Sequence, residues 1–253
     1  MSAQRALALP TLQVNGIHMS FPVPSGSGHV AVLSDVSLVV PPATFTAIVG
    51  PSGSGKSTLL HCAAGLDVPD RGQVLVSGDD ITRLNRAERA AYRRKHIGFI
   101  FQEYNLISSL TVRDNVLLPS RLRGEQPSSA RATEALDQLG LAHRAAHRPH
   151  QLSGGEQQRA AIARALVSKP RLVFADEPTG ALDVSASATV LHRLRALPTG
   201  GPSVVMVTHD PQAAAIADQV LVMGSGQIRT TLPGGDSEHI AEAVLSVQQE
   251  LAC

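Results

Sequence analysis

Sulfur chemistry is nearly absent from this chain. Its 253 residues include two cysteines, Cys62 and Cys253, too few for a disulfide framework and without the paired spacing of a zinc site. Cys62 lies in the apolar stretch LLHCAAGL, where a thiol packs as an inert small hydrophobe. No apolar run approaches the roughly 18–20 residues of a membrane-spanning helix. The opening MSAQRALALP is too short and too weakly apolar for a secretory signal, so a reducing, cytosolic compartment is expected. An excess of one charge is missing too. Lys and Arg number 22 against 21 Asp and Glu, a net +1, which argues against nucleic acid or another polyanion as the partner. Lysine is scarce, three against nineteen arginines, a bias attributed to coding rather than function.

What remains is a globular composition, 43% hydrophobic and 17% charged, long enough for one sizeable domain or a core carrying an inserted subdomain. The first fifty residues read as β-rich: LQVNGIHMSF and VAVLSDVSLVV carry alternating and β-branched residues on either side of the turn-forming PVPSGSGH. TFTAIVG then gives a short apolar strand and KSTLLHCAAGL a helix. QVLVSG, IGFIFQ, LVFAD, SVVMVTH and QVLVM are nearly continuous apolar runs, the pattern of strands buried on both faces. Helical patterns separate most of them, which predicts an α/β fold with a mainly parallel sheet. No such run occurs between Gln102 and Leu152, so a helical subdomain is expected there. From Ser237 to Leu251, Ile240, Val244, Val247 and Leu251 share one helical stripe, expected to pack on the chain's own domain.

The sharpest motif is GPSGSGKST. It matches G-x-x-x-x-G-K-[ST] through Gly50, Gly55, Lys56 and Ser57, with the required strand before it and helix after it. Gly50, Pro51, Ser52, Gly53, Ser54, Gly55, Lys56, Ser57 and Thr58 form a loop whose successive N–H groups converge on phosphate oxygens. The positive end of the helix adds to this, by roughly 0.3–1 kcal/mol when exposed. Lys56 is expected to reach the β- and γ-phosphates and the Ser57 hydroxyl to ligate Mg²⁺. LVFADEP supplies a second anchor. Asp176 emerges at the C-terminal edge of a buried strand, where open α/β sheets bind ligands, and is expected to hold the metal. Adjacent Glu177 can take a proton from attacking water. Gln102 and His209 end two further strands on the same rim. The glutamine can orient water or touch Mg²⁺, and the histidine can contact the γ-phosphate and sense its presence.

Residues 152–160, LSGGEQQRA, hold no nucleophile–base pair and no metal spacing, yet Ser153, Gly154 and Gly155 at a helix start form a second anion cradle. Together with GPSGSGKST and LVFADEP, this stretch resembles the signature motif of the nucleotide-binding subunits of ABC transporters. The resemblance runs from about Leu12 to Ile228. It implies a P-loop NTPase (RecA-like) α/β core, with an N-terminal antiparallel β subdomain and an inserted helical subdomain. The expected division is a domain over 11–230, its helical insertion at about 103–160, and a C-terminal helical segment over 231–253. The resemblance also implies that Gln102 stands in the Q-loop, Asp183 of GALD in the D-loop and His209 at the switch position. It implies a homodimer in which two copies meet head to tail, each signature loop capping ATP held by the other copy. Phe21, in MSFPVPSG, takes the place of the aromatic that stacks on adenine, where tyrosine is commoner; stacking needs only the ring face. A second departure is PPATFTAIVG, which lacks the Gly-Glu pair usual before the P-loop strand.

IGFIFQEYNLISSLTVRDNVLLP and GLDVPDRGQV are most similar to the group serving macrolide export, lipoprotein release and related efflux. That similarity implies a separate membrane permease of FtsX-like type, bound at the cytoplasmic face of the membrane through the groove near Gln102 and EYNLI. An ATPase that regulates a non-transporting, cell-division partner would read almost identically. Other features carry less. His143, His147 and His150 stand at helical spacing, but Pro149 breaks the run and no acidic or cysteine ligand is near. Arg83, Arg86, Arg89, Arg93, Arg94 and Lys95 read as a solvated helix face.

Overall fold

The computed structural model describes residues 9–23, 28–126 and 128–250. Two long antiparallel strands open it, β1 (Leu12–Pro22) and β2 (His29–Val40); part of the PVPSGSGH turn between them lies outside the described residues. β3 (Phe45–Val49) leads through the glycine loop into α1 (Lys56–Ala63). β4 (Arg71–Val76) and the two-residue β5 (Asp79–Asp80) complete an antiparallel sheet of order β2-β1-β4-β5. α2 (Arg86–His96) precedes β6 (Ile97–Ile100). α3 (Val112–Leu122), α4 (Ser129–Gln138), two 3₁₀ turns at Ala142–Arg144 and Pro149–Gln151, and α5 (Gly154–Leu166) follow without a strand. The chain then runs through β7 (Leu172–Asp176), α6 (Val184–Ala196), β8 (Ser203–Val207), α7 (Pro211–Ala214), β9 (Gln219–Gly224), β10 (Gln227–Pro233) and α8 (Ser237–Glu250). The second sheet has the order β10-β9-β3-β8-β7-β6 and is parallel apart from β10.

The continuous apolar runs are explained by two cores, one on each side of this sheet. Phe45, Ala47 and Val49 of β3, Val173 and Ala175 of β7, and Val204 and Met206 of β8 point into one core, shared with α3, α4 and α5. Ile48, Leu172, Phe174, Val205 and Val207 point the other way, toward α1 and the antiparallel sheet. With side chains alternating across a strand, two apolar faces require apolar residues at every position. Parallel order at β3, β7 and β8 carries the loops after all three to the same edge, which is where the site forms.

The structure departs from the sequence reading at particular elements. QVLVSG does not form a doubly buried strand: its residues lie in β4, at the antiparallel sheet, with alternating burial. Its side chains face a core on one side and solvent on the other, and an apolar run this short does not reveal that difference. β10, unanticipated, closes the parallel sheet with an antiparallel edge strand whose residues alternate between half-buried and exposed over most of its length. Gln102 and His209 do not end their strands but follow them, since β6 stops at Ile100 and β8 at Val207. His143, His147 and His150 do not share a helix; they fall in or between the two 3₁₀ turns. α2 buries no residue, and Asn85 and Glu88 form a reciprocal capping box at its start. Arg83 pairs with Asp80 at 2.9 Å, while Arg89 and Arg93 donate to the carbonyls of Leu84 and Gly65. At the other end of the chain, Ile240 and Val247 of α8 are buried and Val244 packs partly against the same core. Leu251 lies outside the described residues.

Candidate nucleotide site

The loop after β3 is held open by close backbone approaches. A Cβ at Gly50 would stand 2.1 Å from the Met223 carbonyl oxygen, and one at Gly55 would stand 2.8 Å from that of Val32. Gly55 also takes φ +95° as the N-cap of α1, a left-handed conformation that side chains disfavour. Glycine at these two positions lets the loop pack against the backbone of Val32 and Met223 as it enters α1. Lys56 is 8% exposed and its Nζ donates to the carbonyls of Gly50 and Pro51, each at 2.9 Å. Burial pushes this ammonium below the ordinary lysine value, and the carboxylates of Glu177 and Asp176 partly oppose that shift. The Ser54 hydroxyl is buried with no partner among the described residues. A buried cation resting on its own loop's carbonyls, beside an orphaned hydroxyl and a free helix N-terminus, is matched to a polyphosphate.

Ser57 begins the exposed face of α1, and its Oγ donates to Asp176 Oδ1 at 3.4 Å. Burial raises the Asp176 carboxyl above the usual aspartate value, while His61, the Ser57 hydroxyl and Lys56 pull it down. Two hard oxygen donors at this spacing, one anionic and costly to leave unpaired, suit a divalent cation such as Mg²⁺. Glu177 sits directly beyond β7 with φ +44°. Its Oε1 lies 2.9 Å from His209 Nδ1, and Thr208 Oγ1 donates to its Oε2 at 3.4 Å. Gln102 is exposed in the turn after β6, and its Nε2 lies 3.0 Å from where a Cβ on Gly180 would stand. The structure thus gathers Lys56, Ser57, Asp176, Glu177 and His209 at one edge, with Gln102 against the turn that follows Glu177.

Phe21 is 41% exposed and pairs with Val30 across β1 and β2. Val30 lies two residues from Val32, whose carbonyl approaches Gly55, so Phe21 pairs with the strand that abuts the P-loop.

Ser153, Gly154 and Gly155 form a separate place. Ser153 caps α5: its Oγ accepts from Glu156 N at 3.3 Å, and Glu156 Oε2 accepts from Ser153 N at 2.8 Å. Arg144 fixes Glu156 from outside at 2.9 Å. A Cβ at Gly155 would stand 3.0 Å from that of Ala186, so the start of α5 packs tightly on α6. Asp183 caps α6, accepting from Ala186 N at 2.8 Å. The two helix starts border an open cavity of about 360 Å³ lined by Ser153, Gly154, Gly155, Arg159 and Asp183 among others. Lys56, Ser57 and Asp176 do not line it. One chain therefore presents two helix-start sites that do not merge.

Sequence reasoning missed the groups that brace these loops. Arg164 of α5 donates to the carbonyls of Tyr104, at 2.7 Å, and Asn105, both in left-handed backbone. Gln158 donates to the Pro178 carbonyl at 2.6 Å. Side chains that bind backbone carbonyls distant in sequence leave no local signal.

Comparison with known proteins shows the family. A family model described as ABC transporter matches residues 33–180. The macrolide export ATP-binding/permease protein MacB 1/2 of Paracoccus denitrificans is 45% identical over 233 residues, 90% of this chain but 35% of that protein. The chain thus spans about a third of that relative's length. The lipoprotein-releasing system ATP-binding protein LolD of Colwellia psychrerythraea is 47% identical over 207 residues, 81% of this chain and 80% of that one. A dimeric ATP-binding cassette solved in a post-hydrolysis state with ADP and Pi superposes with a TM-score of 0.81 at 35% identity, covering 88% of this chain and 98% of the other. The chain belongs to the ABC transporter family, as an ATP-binding cassette with the P-loop ATPase fold.

Proposed function

We propose that this cassette binds ATP with Mg²⁺ between two copies of itself and hydrolyses it to drive a separate membrane permease. The observation that carries the reading is the carboxylate of Glu177, held 2.9 Å from His209 at the mouth of the P-loop, directly after Asp176. Lys56 and the N–H groups from Gly50 to Thr58 take the β- and γ-phosphates, and Phe21 carries the adenine. Ser57, Asp176 and Gln102 hold the magnesium ion, whose chemistry is neutralisation of charge on the phosphate oxygens. Glu177 accepts a proton from water as the water oxygen bonds to the γ-phosphorus and ADP leaves, while His209 keeps the carboxylate aimed. Ser153, Gly154 and Gly155 close on the ATP of the second copy, with Asp183 holding the adjoining helix start.

The domain runs over about 11–230 with the helical insertion near 103–160, and α8, in the segment after residue 230, packs against it. A permease of FtsX-like type docks at the loop after Gln102, which places the cassette at the cytoplasmic face of the membrane. The similarity to macrolide-export and lipoprotein-release proteins supports a peptide, lipid or drug-like export substrate, and no nucleic acid takes part. The decisive experiment compares Glu177→Gln with the parent. ATP affinity should persist while turnover falls by roughly 10²–10⁴, the scale of a lost positioned base. Turnover within about threefold of the parent would remove Glu177 from the mechanism.

A further inference from the structure

Gln158 lies in α5 and is completely shielded from solvent. Its Nε2 donates to the carbonyl of Pro178 at 2.6 Å, while its Oε1 meets no donor among the described residues. A buried amide with one side satisfied and the other bare is a poor choice for stability alone. Methionine has nearly the same length and would remove that bare acceptor, but it would leave the buried Pro178 carbonyl without its donor. The amide therefore needs a reason that involves that carbonyl.

The position of its acceptor supplies one. Pro178 follows Glu177, whose φ of +44° is left-handed and persists at a residue other than glycine only when its surroundings over-determine it. Three hydrogen bonds hold the backbone of Glu177 and Pro178. Glu177 N donates to Val207 O at 2.9 Å, Gly180 N donates to Glu177 O at 3.1 Å, and Gln158 fixes the Pro178 carbonyl. The first ties the turn to β8 and the second closes it on itself. Of the three, only the Gln158 bond reaches α5, the helix whose start carries Ser153 and Gly154.

We propose that Gln158 is a positioning residue for Glu177, joining the turn that carries the base to the helix that carries the signature loop. A displacement of α5 by nucleotide seated against its N-terminus then reaches Glu177 through one side-chain amide. The inference rests on the proposed function, in which α5 faces the ATP of the second copy and Glu177 faces its own. Gln158 thereby links the two sites within a single chain.

The test uses the full chain carrying Gln158→Met, which removes the donor and the bare Oε1 together and frees the Pro178 carbonyl. The variant should fold with a melting temperature modestly below the parent's and keep its ATP affinity, with kcat lowered at least about tenfold. Size-exclusion chromatography with ATP and Mg²⁺ should show a dimer that outlives the parent's, as Glu177→Gln should, because formation survives and hydrolysis does not. Gln158→Asn keeps the amide but is one methylene too short to reach, and should give the same split if the methionine variant folds poorly. Parent-like kcat in the folded variants overturns the inference. Loss of the ATP-dependent dimer along with turnover also overturns it, since the amide would then serve the start of α5 and not the base. Glu177→Gln is the control: parent-like turnover there would remove the reading on which the inference rests, and the inference with it.

Discussion

The imidazole Nδ1 of His209 lies 2.9 Å from Glu177 Oε1, although 32 residues separate them in the chain. Thr208 adds a longer contact of 3.4 Å to the other oxygen. Both come from the segment just past β8, so the loop of one strand orients the carboxylate that follows its neighbour. If this contact aims the base, His209→Gln should lower kcat by about 10²-fold, the lower end for a positioned proton-transfer group. ATP affinity should stay at the parent value. Steady-state kinetics beside equilibrium nucleotide binding separate the two effects, and an unchanged kcat would leave the contact without a catalytic role.

The exposed pair of Phe21 and Val30 offers a ring on the strand next to the one that approaches Gly55. Phe21→Ala should weaken ATP binding by roughly 1–3 kcal/mol, by analogy with base–aromatic stacking. Phe21→Tyr should preserve it. Equal affinity in all three proteins, measured by titration with a fluorescent ATP analogue, would return Phe21 to a purely structural role.

If both helix-start sites take ATP phosphate as proposed, two copies must meet. With Cys62 and Cys253 replaced, one copy would carry Ser52→Cys and another Ser153→Cys, both in the Glu177→Gln background. A direct disulfide needs Cβ atoms within about 4.5 Å, so a short bifunctional linker tolerates imperfect geometry. Covalent dimer should accumulate with ATP and Mg²⁺ and decline with ADP. A yield indifferent to nucleotide would show that LSGGEQQRA does not cap the neighbour's ATP.

The capping box of α5 makes a prediction about acid. The backbone N–H of Ser153 holds Glu156 below the ordinary glutamate value; burial opposes this, and Arg144 adds to the lowering. A carboxylate whose folded pKa is depressed contributes stability above its unfolded pKa and loses it as pH falls through the folded one. Glutamine keeps the cap acceptor but loses the charge, so Glu156→Gln should cost roughly 0.3–1 kcal/mol near neutrality. The gap from the parent should stay level down to about pH 4.5, the ordinary glutamate value, and close below it. Urea denaturation across that range measures the gap. A gap that widens in acid would contradict the assignment.

Much of the site was legible because its parts are local. The P-loop needs glycines at fixed spacing between a strand and a helix, and those features are contiguous from Phe45 to Ala63. Asp176 and Glu177 were legible for the same reason, standing at the end of a buried apolar run. Strand assignment was weaker where a run was short. QVLV has the same residues whether one face is buried or two, and only pairing with β1 decided that it belongs to the antiparallel sheet.

By itself, then, the sequence determined the fold class, the nucleotide cradle and the two acids after β7, because backbone conformation and burial periodicity are written over a few neighbouring residues. Tertiary structure alone decided which distant groups hold those parts in place. Gln158 reaching Pro178, Arg164 reaching Tyr104, and His209 reaching Glu177 depend on how α5 and β8 pack against the loops. A side chain's hydrogen-bond partner is fixed by that packing, and no spacing along the chain encodes it.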